Sequence, residues 1–241
     1  LIPLTQGVAD SDVDTVVNGD VITVTSINGT PLTPGTAQVI AVTNGSVSID
    51  AVGVITFTPA TNYNGSVSFP YVISDGNGGT ATANQDIAVT SVNDAPIANN
   101  DSISTAEETP VSLTVTTNDT DVDGTIDVAT VDLDPATAGI QTTFTVANEG
   151  TYTVDNLGVV TFTPVANFNG IATAVNYTVN DDDGLTSNIA TITVTVTDVN
   201  DAPVANNDSI STNEDTPVSL TVTTNDTDVD GTIDVATVDL D

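Results

Sequence analysis

The chain has 241 residues, 39% of them hydrophobic, with 33 Asp and Glu and no Lys, Arg or His, for a formal net charge of −33. That length and apolar content support two domains with real cores, while the lack of cationic side chains excludes side-chain salt bridges and removes nucleic acid as a partner, because phosphate binding needs Lys or Arg. With no Cys either, disulfides, thiolate and Schiff-base chemistry, Lys isopeptide crosslinks and the commonest metal ligand and general base are all gone.

Val, Ile and Ala alternate with Thr and Ser over long stretches, which is the period of half-buried strands, and no stretch carries a helical period. No apolar run approaches the roughly 18 residues of a membrane span, and an anionic membrane surface would repel the chain, so no membrane insertion is expected.

In chain order, the acidic run Ala9-Asp-Ser-Asp-Val-Asp14 comes first, then Gly53–Gly65 (GVITFTPATNYNG), then Ser91-Val-Asn-Asp-Ala-Pro96. Each has a later counterpart: Asn118-Asp-Thr-Asp-Val-Asp123, Gly158–Gly170 (GVVTFTPVANFNG) and Asp198-Val-Asn-Asp-Ala-Pro203. Residues Asn93 to Asp134 recur at Asn200 to Asp241, an offset of 107, with three changes: Ile97 to Val204, Ala106 to Asn213 and Glu108 to Asp215. An offset of that size is one sandwich-sized domain per repeat, not a solenoid coil.

The phase predicts three repeats. Residues 1–93 form an incomplete β-sandwich lacking its first strand, 94–200 a complete repeat, and 201–241 the N-terminal part of a third, so the chain reads as a window on a longer array. Within the complete repeat, strands are expected near 102–105, 110–117, 127–133, 141–147, 151–154, 158–163, 171–180 and 187–197, separated by Asn, Asp, Gly and Pro clusters. The fold class is therefore all-β, with two packed antiparallel sheets per domain in a Greek-key, immunoglobulin-like sandwich. Parallel pairing is not expected, because no helical crossover segment exists.

The aspartates are clustered. Asp10/Asp12/Asp14, Asp119/Asp121/Asp123 and Asp226/Asp228/Asp230 occupy one loop of each repeat, and Asp181/Asp182/Asp183 another. Three carboxylates within five residues repel unless a cation shares them, and calcium, which takes six to eight oxygens, suits that donor set. The Asp-x-Asp-x-Asp-Gly spacing matches the start of an EF-hand loop, yet the twelfth position is Thr130 or Thr237 rather than Glu, and strands rather than helices flank it. The bland alternative is that these residues make turns and solvated loops.

Other features read as structural. Thr191, Thr193, Thr195 and Thr197 form a ladder suited to a solvent-facing strand. Phe69, Tyr71, Phe162, Phe168 and Tyr177 sit beside alternating Val and Ile, as core rings do. The adjacent Asp182 and Asp183 do not form the opposed carboxylates of a glycoside hydrolase.

Tyr177-Thr-Val-Asn-Asp-Asp-Asp-Gly-Leu-Thr-Ser through Thr195-Val-Thr-Asp-Val-Asn-Asp-Ala-Pro203 resembles the last two strands and linker of a cadherin repeat. With the Asn-Phe-Asn-Gly turn (Asn167 to Gly170) and the Glu-Asp-Thr-Pro start (Glu214 to Pro217), it is more similar to the bacterial cadherin-like tandem-95 repeats of large surface adhesins. The resemblance implies calcium between successive domains. At the second junction the implied ligands are Asp198, Asn200 and Asp201 in the linker, Glu107 from an early strand, and Asp226 and Asp228, with Asp230 completing the triplet. At the first they are Asn93, Asp94, Asp119, Asp121 and Asp181, with Asp123 alongside; Ser91 replaces the linker Asp, which predicts weaker binding there. Ala95 and Ala202 stand where cadherins have a second Asn, and the cadherin Leu-Asp-x-Glu motif has no counterpart, so the number of ions and the register within Asp-Thr-Asp-Val-Asp stay open by two residues.

These readings converge on a non-enzymatic spacer of a bacterial extracellular stalk, filament or adhesin. Its expected partners are neighbouring repeats of the same chain and, through filament or lateral association, other copies. A carbohydrate-binding module contacting a surface glycan is the rival reading.

Overall fold

The computed structural model describes residues 21–239. The acidic run at Ala9–Asp14 and the early strand expected at Leu1 lie outside the described residues. Two compact units are present, Leu1–Asn93 and Asp94–Asp241, with regular structure that is almost entirely β.

The first unit contains β1 (Thr23–Ile27), β2 (Thr30–Pro31), β3 (Gln38–Val42), β4 (Gly45–Ile49), β5 (Ile55–Pro59), β6 (Gly65–Ser74) and β7 (Thr80–Val89). These form two sheets, ordered β2-β1-β6-β7 and β3-β4-β5. Alternate residues point inward, so Ile27, Ile40, Val47, Val67, Phe69 and Tyr71 form the core.

The second unit contains β8 (Asp101–Ala106), β9 (Val111–Thr114), β10 (Ile126–Asp132), β11 (Thr143–Val146), β12 (Gly150–Val154), β13 (Val159–Pro164), β14 (Gly170–Ile171), β15 (Val175–Asp181) and β16 (Ala190–Thr197). One sheet runs β10-β15-β16-β14 with β8 added along β16, and the other runs β11-β12-β13-β9. Val115, Val131, Tyr152, Val160, Phe162, Tyr177, Val179, Ile192 and Val194 are sealed between them. Each such side chain contributes about 1.5–3 kcal/mol by leaving water. Tyr152 and Phe162 meet with ring centroids 4.6 Å apart, and their shared space is why residue 150 is glycine: a Cβ there would lie 2.4 Å from the Phe162 ring. Gly45 stands against Phe57 in the same way in the first unit.

The structure departs from the expected strands in three places. Strand β8 pairs parallel with β16, Asp101 opposite Ile192 through Ala106 opposite Thr197. No crossover helix is needed, because the first and last strands of the domain are joined through the whole intervening sandwich. Residues 115–117 form a 3-10 turn instead of extending the strand, with the Val115 N–H donating to Gly158 O. The strand expected over 171–180 is broken at 172–174, where the Thr173 N–H and hydroxyl both donate to the Glu149 carboxylate.

Residues 200–239 contain no strand among those described, only a single antiparallel bridge between Val204 and Thr227 and a 3-10 turn at Val235–Thr237. Their sequence nevertheless nearly duplicates 93–132. The cause is pairing. Strands β8, β9 and β10 are extended because β16, β13 and β15 lie beside them, and no described residue after 200 pairs with 208–239 in that way. Amide hydrogen exchange on this 241-residue chain should therefore show slow exchange at 101–106 and fast exchange at 208–213, which differ only at the last residue. Equal protection of the two segments would contradict the account.

Candidate functional site

The parallel register of β8 and β16 gives the second unit two acidic ends. Its leading end gathers the segment before β8 (94–100), the loop between the 3-10 turn and β10 (118–125) and the loop between β15 and β16 (182–189). Its trailing end gathers Glu107 and Glu108 after β8, the turn at Asn167–Asn169 and the segment after β16 from Asp198.

At the leading end the three aspartates of the triplet do different work. Asp119 is turned inward, where its Oδ1 accepts the Asn99 N–H at 2.7 Å and lies 3.1 Å from the Tyr177 hydroxyl. Asp121 Oδ1 accepts the N–H groups of Asp123 at 3.1 Å and Gly124 at 2.9 Å, while its Oδ2 is buried with no hydrogen-bond partner. Asp123 Oδ1 accepts the Asp94 N–H at 3.2 Å, tying the loop to the preceding linker. Asp181, 2% exposed, accepts N–H bonds from Asp183 and Leu185, and Asp182 Oδ1 accepts the Thr125 N–H at 2.9 Å. Asp121 and Asp182 crowd one glycine, since a Cβ on Gly124 would lie 2.9 Å from Asp182 Oδ1 and 3.3 Å from Asp121 Oδ2.

The same bonds recur after residue 200. Asp226 Oδ1 accepts the Asn206 N–H at 2.7 Å, Asp228 Oδ1 the Gly231 N–H at 2.9 Å, and Asp230 Oδ2 the Asp201 N–H at 2.9 Å. This clasp of linker and acidic loop thus forms even where the surrounding strands do not.

At the trailing end, Glu107 is 4% exposed and its Oε1 accepts the Val199 N–H. Glu108 Oε1 accepts the Asn167 N–H, and the Asn169 side-chain amide donates to Asp198 Oδ1 at 2.8 Å. The Asp201 carboxyl is held above its usual range by loss of solvent and by the nearby charges of Glu108, Asp230, Asp198 and Asp228. Asp230 moves the other way, chiefly because it accepts the Asp201 N–H. Asn167, Asp201, Ala202, Val204, Thr227, Asp228 and Val229 line an open cleft of about 420 Å³ here. Asn200 directs its side-chain amide to Asp201 O.

Of the expected ligands, the structure brings together Asp94 with Asp123 and Asp201 with Asp228 and Asp230, and turns Asp119 and Asp226 toward backbone N–H groups. Asn93 belongs to the first unit. Among the described residues no three acidic side chains stand ready-made around a common point. The donor set is nevertheless all oxygen, and the buried Oδ2 of Asp121 lacks any donor in a chain that has no cationic side chain to offer. Those two properties fit a hard divalent cation such as calcium.

Sequence reasoning placed Tyr177 in the core, where it lies, but missed its polar role. Its hydroxyl sits within 2.8–3.3 Å of Asn99 O, Asp101 Oδ2, Val115 O and both Asp119 oxygens. One O–H proton cannot serve five acceptors. Burial, only partly offset by the Tyr177 bond, raises Asp101 from 3.8 to about 6, with the Asp119 charge adding to the rise; burial raises Asp119 as well. A raised folded-state carboxyl binds its proton more tightly than the unfolded chain does, so this contribution to stability grows as pH falls through about 6 toward 3.8. Asp101→Asn should accordingly raise the melting temperature at about pH 8, and the gain should vanish near pH 4. A pH-independent difference would contradict the assignment. Tyr177→Phe should cost roughly 1.5–3 kcal/mol in chemical denaturation, the usual range for a hydrogen bond to a charged group.

The sequence model of the bacterial Ig domain matches residues 3–88, 93–197 and 200–240. None of the curated proteins matches the chain. Among solved structures, Drosophila N-cadherin EC1-4 is 14% identical with a TM-score of 0.40, covering 73% of this chain and 41% of that one. Mouse cadherin-23 EC22-24 is 20% identical, also at 0.40, covering 68% and 52%. An endo-fucoidan hydrolase of glycoside hydrolase family 107 is 17% identical at 0.30, covering 73% and 24%. The chain thus spans about half or less of each of these structures. With three successive matches covering nearly all of its length, the chain belongs to the bacterial Ig domain family.

Proposed function

We propose that this chain is a spacer of an extracellular bacterial stalk, filament or adhesin, built of tandem repeats whose joints are stiffened by calcium. The observation that carries the reading is the linker clasp. Linker N–H groups of Asp94 and Asp201 bond the last aspartate of each triplet, and the middle aspartate at the first clasp keeps a buried oxygen without a donor. When bound, calcium would supply positive charge shared among several oxygens. Asp121, Asp123, Asp181 and Asp182 at one joint, and Glu107, Asp198, Asp201, Asp228 and Asp230 at the other, would hold it. At the first clasp both oxygens of Asp119 are engaged, by the Asn99 N–H and the Tyr177 hydroxyl, whereas Asp121 keeps one without a donor, so the second aspartate of that triplet, rather than the first, faces the ion. The repeats run 94–200 and from 201 onward, with 1–93 before them.

Binding only to the folded joint stabilises it by about 2.7 kcal/mol at a hundredfold excess over Kd. For a domain of this size that is a rise of at least 10 °C in melting temperature, at roughly 4–8 °C per kcal/mol. The glycan-binding rival lacks an exposed aromatic platform, because Phe69, Tyr71, Tyr152, Phe162 and Tyr177 are buried and Phe57, Tyr63, Phe144 and Phe168 pack partly buried against the two cores.

Thermal unfolding and small-angle scattering, with calcium and then with excess chelator, test the reading. Calcium should raise the melting temperature and the maximum dimension, and no change in either would defeat it. Asp121→Asn should remove most of the calcium-dependent gain while leaving the chelated protein as stable as before or more so. Asp201→Ala should loosen the second joint and leave the sandwich of 94–200 folded.

A further inference from the structure

Four turns of the molecule share one design. Asp50, Asp75, Asp155 and Asp181 each open a loop with a glycine three residues on, at Gly53, Gly78, Gly158 and Gly184, and all four glycines have a positive φ, between 72° and 108°. In every loop one aspartate oxygen accepts the N–H groups two and four residues ahead. The glycine N–H between those two has its own acceptor in three of the loops. Gly53 donates to Asp50 O at 3.0 Å, Gly158 to Asp155 O at 3.1 Å and Gly184 to Asp181 O at 3.2 Å.

The loop joining β6 to β7 lacks that bond. Its other N–H groups are all placed: Asp75 donates to Gly79 O at 3.2 Å, Gly76 to Ser74 Oγ at 3.2 Å, and Asn77 and Gly79 to Asp75 Oδ1 at 2.7 and 2.9 Å. The Gly78 N–H meets no acceptor among the described residues. This is also the one loop of the four in which asparagine precedes the glycine, where the others have Val52, Leu157 and Asp183. Asn77 is exposed, its side chain forms no hydrogen bond with the described residues, and nothing lies within 4 Å of where a Cβ on Gly78 would stand.

We propose that Asn77 is a site of spontaneous deamidation. The Gly78 backbone nitrogen attacks Asn77 Cγ, a bond from nitrogen to Cγ forms, and the bond from Cγ to Nδ2 breaks, so that Nδ2 leaves as ammonia with the proton the Gly78 nitrogen gives up. Water then opens the resulting five-membered imide at either carbonyl, giving an aspartyl or an isoaspartyl residue. The balance is one water in and one ammonia out. A glycine offers no Cβ to hinder the attack, and a nitrogen without an acceptor has no hydrogen bond to break first.

The other Asn–Gly pairs among the described residues are each held. Asn28 donates its side-chain amide to Ala41 O at 3.0 Å, and Asn169 donates its own to Asp198 Oδ1 at 2.8 Å. Gly45, Gly65 and Gly170, which follow Asn44, Asn64 and Asn169, lie in β4, β6 and β14, paired with Val42, Val89 and Val196. The second unit also shows that the aspartyl product fits. Tyr71-Val-Ile-Ser-Asp75 answers Tyr177-Thr-Val-Asn-Asp181, which puts Asp183 at the position of Asn77, and its N–H donates to Asp181 Oδ1 as that of Asn77 does to Asp75 Oδ1. An isoaspartyl residue adds a backbone carbon to a loop whose bonds depend on the two-and-four spacing, so that product should loosen the hairpin.

The test ages the 241-residue chain at mildly alkaline pH, folded and in urea, and maps it by mass spectrometry. With no Lys or Arg to cut at, the map uses an aspartate-directed endoprotease, which gains a site at aspartyl 77 and none at the isoaspartyl form. In the folded chain Asn77 should lose its amide roughly tenfold faster than Asn28, Asn44, Asn64 or Asn169, the factor that about one hydrogen bond represents. The rate should climb with pH, because the attacking nitrogen must shed its proton. In urea, where the ladders and side-chain bonds are gone, the five rates should converge. Asn77→Asp, which supplies the aspartyl product directly, should melt with the wild type. A folded chain in which Asn77 keeps its amide as long as the other four, or in which another asparagine leads, would overturn the proposal, as would a lead for Asn77 that persists undiminished in urea.

Discussion

Thirty-three carboxylates with no cationic side chain to meet them leave three ways to satisfy a charge: water, an N–H or O–H donor, or a bound ion. Much of the local structure follows from the second. One device recurs in both units, a single aspartate oxygen accepting the N–H groups two and four residues ahead. Asp50, Asp75, Asp155 and Asp181 all do this. Glutamates work at longer range. Glu107 reaches Val199, Glu108 reaches Asn167 and Glu149 reaches Thr173, each capturing a backbone donor from a distant segment. In a protein with lysines and arginines these contacts would compete with ion pairs. Here the peptide group is the principal electrostatic partner.

The constraint also sorts the molecule spatially. Acidic side chains gather at the two ends of the second unit and in its loops, where turns supply N–H donors and water is near. The faces that must pack, or that lie two strands from any loop, are built from Thr, Ser and Val. The polar centre of the core is the place where this sorting fails. Around Tyr177 two carboxylates and two carbonyls converge on a single hydroxyl, and raised carboxyl pKa values follow. Raised carboxyl pKa values favour a proton at that site, whereas the buried Oδ2 of Asp121 simply has no hydrogen-bond donor.

The strand period was readable because Val and Ile alternate with Thr throughout, and the core rings were readable from their position in that alternation. The parallel pairing of β8 with β16 was not, since nothing local distinguishes a strand that meets its neighbour from one that meets a partner ninety residues away. The break at 172–174 depends on Glu149, and the turn at 115–117 on a carbonyl of Gly158. Both are tertiary contacts without a signature in the segment they reshape. The acidic triplet was recognised as a unit, but the separate duties of Asp119, Asp121 and Asp123 rest on where Asn99, Gly124 and Asp94 are brought.

The two near-identical copies, 93–134 and 200–241, separate what is local from what is not. In both, the linker and acidic loop close on each other through the same hydrogen bonds, because donors and acceptors lie within about thirty residues and turn-forming Asn, Asp and Gly bring them together. That clasp belongs to the sequence. The strands do not: β8, β9 and β10 exist in the first copy and are absent from the described residues of the second, although Ile103 and Ile210, Leu113 and Leu220 are the same residues in the same setting. An extended segment gains little alone, and its backbone groups and apolar face are satisfied only by a neighbouring strand and an opposing sheet.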